Sequence, residues 1–60
     1  MDKKPKYEVY TDELDEWRWR LRAPNGRIIA EGGEGYRDKR NCLNGITFVE
    51  KYLDAKIVEL

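Results

Sequence analysis

Residues 17–22 read Trp17-Arg18-Trp19-Arg20-Leu21-Arg22, and Ala23-Pro24-Asn25-Gly26 follows directly. This strict alternation of large apolar and cationic side chains has the period of a β-strand, whose successive residues point to opposite faces. Trp17, Trp19 and Leu21 therefore share a core face, and Arg18, Arg20 and Arg22 share a face in water. Upstream, Tyr7-Glu8-Val9-Tyr10 reads as a first strand, residues 12–15 as an acidic loop and residues 16–23 as the second strand. A five-residue loop over 11–15 sets Tyr7 opposite Trp19 and Val9 opposite Trp17 inside, with Glu8 opposite Arg18 and Tyr10 near Glu16 outside. A slip of one residue would put Val9 against Arg18 and mix the faces.

Downstream, Pro24-Asn25-Gly26 turns the chain into a third strand over 27–31. Two turns fit. A two-residue type I′ turn at Asn25-Gly26 pairs Leu21 with Ala30 and Arg20 with Glu31, whereas a type I turn with Gly26 in a left-handed bulge position pairs Leu21 with Ile29. Pro24 favours the bulged form, because its ring presets the first central position of a type I turn. Gly32-Gly33-Glu34-Gly35 then interrupts the strand pattern, and Asp38 can cap a helix running to about Leu53. Cys42, Ile46, Val49 and Leu53 form one apolar helical stripe. Gly45 lies on that stripe, which implies a close approach of helix backbone to the tryptophan side of the sheet. Asp54 ends the helix and residues 55–60 read as a fourth strand. The expected order is βββαβ, an α+β domain with one helix packed on one face of a mainly antiparallel sheet.

Sixty residues allow one domain, taken as 7–60 after a polar start over 1–6 that frays. A chain this short buries only about 60% of the surface its unfolded form exposes, so its core is marginal. Cys42 has no partner cysteine and the chain has no histidine, which removes an internal disulfide and a conventional Cys/His zinc site. Oligomerisation is the remaining source of stability. Twelve basic and 12 acidic residues balance, which argues against a protein built around an extended polyanion. With no apolar run near the ~20 residues that span a bilayer, and no apolar segment after the Lys-rich start, a cytoplasmic protein without membrane contact is expected.

The motifs accumulated along the chain resemble a known family. Tyr7-Glu8-Val9-Tyr10, Glu16-Trp17-Arg18-Trp19-Arg20-Leu21, Asn25-Gly26, Ile29-Ala30, Glu34-Gly35-Tyr36 and Asn44-Gly45-Ile46, in this order and spacing, are similar to the YegP-like family, also called domain of unknown function 1508 or UPF0339. The resemblance runs roughly from Tyr7 to Val49. It implies a βββαβ unit that occurs as tandem repeats or as a single copy that dimerises, two units building one continuous sheet, and this chain has the look of the single-copy form. It departs from the family pattern at Asp15, where glycine is typical, and at Glu31-Gly32, where small hydroxyl residues are common. No established activity comes with it.

Each candidate for chemistry has a structural reading beside it. Trp17 and Trp19 have the faces to stack on bases, but their alternation with arginine places them in the core. Tyr10, Arg18, Arg20 and Arg22 form the candidate binding surface on the outer face, a style of surface that contacts RNA or single strands, with Glu8, Glu16 and Glu31 near enough to neutralise part of it. Gly32-Gly33-Glu34-Gly35 lacks the Lys-Ser/Thr of a phosphate loop and reads as a flexible connection, and Tyr36 packs on the first helical turn. Cys42 suits a close helix-to-sheet contact rather than nucleophilic work. The acidic loop Asp12-Glu13-Leu14-Asp15-Glu16 lacks EF-hand spacing. The expectation is a homodimeric structural or protein-interaction module, not an enzyme, with no catalytic residues, metal or cofactor. Its expected partners are a second copy and an unidentified protein; weak nucleic-acid binding through the Arg/Tyr face is the alternative.

Overall fold

A computed structural model describes residues 4–60; residues 1–3 of the expected frayed segment lie outside the described residues. Three strands, β1 (Lys6–Thr11), β2 (Trp17–Arg22) and β3 (Ile28–Glu31), precede one helix, α1 (Lys39–Lys51). The strands form an antiparallel sheet in the order β1-β2-β3.

The faces are as the alternation requires, but the first hairpin is displaced. Tyr7 lies opposite Leu21, Glu8 opposite Arg20, Val9 opposite Trp19 and Tyr10 opposite Arg18. The loop keeps five residues and moves one position along the chain, to 12–16, because Asp12 organises it. Its Oδ1 accepts the backbone N–H groups of Leu14 at 2.9 Å and Glu16 at 3.0 Å, while its own N–H donates to the Glu16 carbonyl at 2.9 Å. An aspartate that captures the N–H two residues on builds this kind of turn. The register therefore shifts by two residues, an even number, and every side chain stays on its expected face.

At the second hairpin both turn readings hold in part. Gly26 has φ 93°, its N–H donates to the Ala23 carbonyl and the Ala23 N–H donates to the Arg27 carbonyl, which makes the bulged turn. Beside it Arg22 pairs with Ile28. A further bulge between Leu21 and Arg22 then moves the register by one, so that Leu21 meets Ala30, not Ile29, and Arg20 meets Glu31.

The glycine-rich connection is pinned at both ends. Gly32 N–H donates to the Trp19 carbonyl at 3.0 Å, and Trp17 and Tyr36 exchange two backbone hydrogen bonds of 2.6 and 2.8 Å. Tyr36 thus extends the β3 edge of the sheet after an excursion over 33–35. Asp38 then caps α1, its Oδ1 accepting the Arg40 N–H at 2.9 Å. The helix crosses β2, with Cys42 fully buried and Trp19 7% exposed. Gly45 lets it approach: a Cβ there would come within 2.8 Å of the Tyr36 hydroxyl and 3.6 Å of Trp19 Nε1. Tyr7 meets Trp19 edge to face, ring centroids 5.7 Å apart. Trp17 is only half-buried, and the Lys39 ammonium lies over its ring at 5.3 Å.

The helix closes at Tyr52, two residues before Asp54, and the apolar stripe is covered only at its start. Val49 and Leu53 remain exposed. Residues 55–60 form no strand in the single chain, so the order within one chain is βββα, not βββαβ. A β-strand takes its hydrogen bonds from a neighbouring strand, and neither edge strand, β1 nor β3, pairs with this segment.

Candidate functional site: the outer face of the sheet

Strand parity brings Tyr10, Arg18, Arg20 and Arg22 to the face opposite the helix. The two-residue register shift decides what each one meets. Glu8 is the hub: its Oε1 accepts from Arg20 Nε at 2.7 Å and from Arg22 Nε at 2.9 Å. These two hydrogen bonds, Arg20 first, hold the Glu8 carboxyl below the usual carboxylate range, and the same contact raises Arg20. Glu8 was expected opposite Arg18. Arg18 instead reaches Asp12 Oδ2 at 3.6 Å and donates through Nη2 to the Gly32 carbonyl at 3.2 Å. Asp12 is likewise held low, first by the Glu16 backbone N–H, with Arg18 a smaller contribution. The Arg20 guanidinium also lies over the Tyr10 ring, 4.6 Å from its centroid.

The four residues singled out in the sequence thus share one surface, and each arginine has a partner within the chain. Arg18 ties the acidic loop to the glycine-rich connection, Arg20 and Arg22 share one carboxylate, and Arg22 Nη1 also donates to the Gly26 carbonyl. Sequence reasoning missed Asp12 as a structural residue; Asp12-Glu13-Leu14-Asp15-Glu16 was read as a solvated acidic turn.

The remaining candidates fall in the interior or in the loops. Trp19 is covered by α1, which leaves no stacking face there. Burial raises the Cys42 thiol, the opposite of what a nucleophile requires. Burial, and then the Glu50 carboxylate of α1, raise the Tyr7 phenol. Among the described residues no group of three or more His, Cys, Asp or Glu side chains is placed to hold a metal. No helix there is long and apolar enough to cross a membrane.

A three-stranded antiparallel meander carrying one helix on its tryptophan face defines a small α+β domain. The family described as Domain of unknown function (DUF1508) matches residues 12–59, and the chain belongs to that family. A UPF0339 protein of Treponema denticola is 46% identical over 56 residues, covering 92% of this chain and 95% of the relative. A UPF0339 protein of Methanosarcina acetivorans matches with the same identity and coverage. In Stutzerimonas stutzeri the UPF0339 protein in the ptx operon 5′ region is 49% identical over 45 residues, which are 75% of this chain but only 40% of that protein. The solution structure of a protein from Haloferax volcanii superposes with a TM-score of 0.91 at 40% identity, over 98% of this chain and 100% of the other.

Proposed function

We propose that the chain works as a homodimeric interaction module without catalytic activity, in which the helix end and residues 55–60 of each copy are covered by the other. Its exposed area is the observation that carries this. A compact monomer of its mass, 7.2 kDa, exposes about 4,100 Å²; this chain exposes 5528 Å². The excess is larger than the ~800 Å² each partner buries in a standard interface. The Cα radius of gyration of 12.7 Å also exceeds the ~10 Å of a compact domain this long. Much of the uncovered surface is apolar and runs along the sequence through Phe48, Leu53, Ile57 and Val58, which are 64, 74, 92 and 66% exposed.

A second copy is the occupant that fits. The short apolar tail, Ile57-Val58-Glu59-Leu60, can add a strand to a sheet edge of another chain, and twofold pairing covers both tails at once. A relative in which the matched unit is only 40% of the protein has length for a second unit in the same chain, while relatives matched over 95% of their length carry one. The outer face of Tyr10, Arg18, Arg20 and Arg22 stays open in such a dimer and is the surface available to a partner protein.

Sedimentation at micromolar concentration tests the proposal. The expected mass is twice 7.2 kDa, falling to one copy in a chain truncated after Asp54. A cooperatively folded monomer of the full chain would overturn it.

A further inference from the structure

At the end of the sheet away from the acidic loop, the start of β1 and the β2–β3 turn enclose an open hollow of about 180 Å³ lined by Lys4, Lys6, Arg22, Ala23, Pro24 and Gly26. We propose that this hollow is a binding site for a small oxyanion, a phosphate or a phosphate monoester. Its size is below the ~300–1,000 Å³ of pockets for drug-sized ligands, which suits a single compact ion.

Its lining carries three cations and, among the described residues, no carboxylate. Two of the cations are forced together: Lys6 and Arg22 are directly paired across β1 and β2. Like charges in that position repel at a Cβ separation of about 5 Å. An anion seated between them would turn the repulsion into two attractions. Glu8 spends one oxygen on both Arg20 and Arg22, so its single charge is shared between two guanidiniums and does not cancel the pair formed by Lys6 and Arg22.

Arg22 is also fixed in place before any ligand arrives. Its Nε is held by Glu8 and its Nη1 by the Gly26 carbonyl, yet a guanidinium has five N–H donors. The donors left over sit on a planar group whose rotamer freedom is already lost, the arrangement that favours bidentate recognition of phosphate.

Neutral overall charge hides the pairing of Lys6 with Arg22. The acidic residues of the loop after β1 stand at the other end of the hairpin, about 17 Å along the strand, beyond the screening length of ~8 Å at physiological salt. The molecule is therefore polarised along the hairpin, with an acidic end and a basic, concave one.

The test is a titration of the full chain, followed by the backbone amide resonances, with inorganic phosphate, with glycerol 3-phosphate, and with sodium chloride at matched ionic strength. Saturable shifts confined to Lys4, Lys6 and residues 22–26 are expected with one or both phosphate compounds, half-complete in the low millimolar range, and none with chloride. Tighter binding of the ester identifies an esterified phosphate as the source, tighter binding of the free ion the converse. Lys6→Gln should weaken binding about fivefold or more through loss of one charge-assisted contact, and Arg40→Gln, on the helix, should leave it unchanged. Shifts of equal size with chloride, shifts spread over the molecule, or a Lys6→Gln chain that folds and binds as tightly would each overturn the proposal.

Discussion

A Cβ built on Gly32 would come within 2.5 Å of Trp19 Nε1, so the indole occupies the space that any side chain at this position needs. Trp19 is held between the backbone of the glycine-rich connection on one side and Gly45 of the helix on the other. The largest side chain of the core is thus matched to two residues that have none.

Gly32→Ala should lower stability by about 1–3 kcal/mol, the range for overpacking a filled site, and Gly45→Leu should act in the same direction. Trp19→Ala should cost about 3–5 kcal/mol, close to the whole stability available to a domain this small. Urea unfolding followed by circular dichroism measures all three. Midpoints within experimental scatter of the parent would show that the indole is not packed as described.

Asp15 adopts φ 60°, the one left-handed position taken by a residue other than glycine among the described residues. The left-handed region costs an L-residue about 1–2 kcal/mol, with Asp among the more tolerant, and glycine occupies it without that cost. Asp15→Gly should therefore raise the melting temperature, whereas Asp15→Val should lower it. Equal melting of the two variants would count against the strain.

Glu8 and Asp12 both have carboxyls held below their ordinary values. For a group whose folded pKa is depressed, the stabilising contribution is complete above the unfolded value and disappears as pH falls through the folded one. Stability should hold near neutral pH and decline as pH drops below about 4.5, the ordinary glutamate value. Glu8→Gln should flatten part of that acid limb. Because both carboxylates are solvent-accessible, added salt should shrink the effect. An unchanged acid limb in Glu8→Gln would assign the pH dependence elsewhere.

The outer face should be a poor ligand for nucleic acid. Each arginine already has an acceptor in its own chain, and at about 0.15 M salt no RNA or single-stranded DNA is expected to bind more tightly than roughly 10 μM. A labelled short single strand titrated at two salt concentrations measures this, with Arg18→Ser/Arg20→Ser/Arg22→Ser as the comparison. Sub-micromolar binding lost in that variant would make this face a nucleic-acid surface.

Side-chain facing, the bulged turn at Gly26 and the Asp38 cap were all legible in the amino-acid sequence, because each depends on residues within one turn or one strand. Alternation over Trp17–Arg22 assigns faces whatever the partner strand, and an even register shift cannot change that assignment. Pairing partners are a different matter. Whether Glu8 meets Arg18 or Arg20, and whether Lys6 faces Arg22, depends on where the loop closes, and Asp12 decides that through hydrogen bonds to Leu14 and Glu16 that charge patterning does not reveal. The placing of Tyr10, Arg18, Arg20 and Arg22 on one face therefore follows from parity alone, whereas their contacts with Glu8 and Asp12, and the hollow at Lys6 and Arg22, came only with the tertiary structure. Residues 55–60 mark the limit most clearly. Their short apolar run reads as a strand, but a strand needs a second backbone to bond with, and local pattern does not say whether that backbone belongs to the same chain.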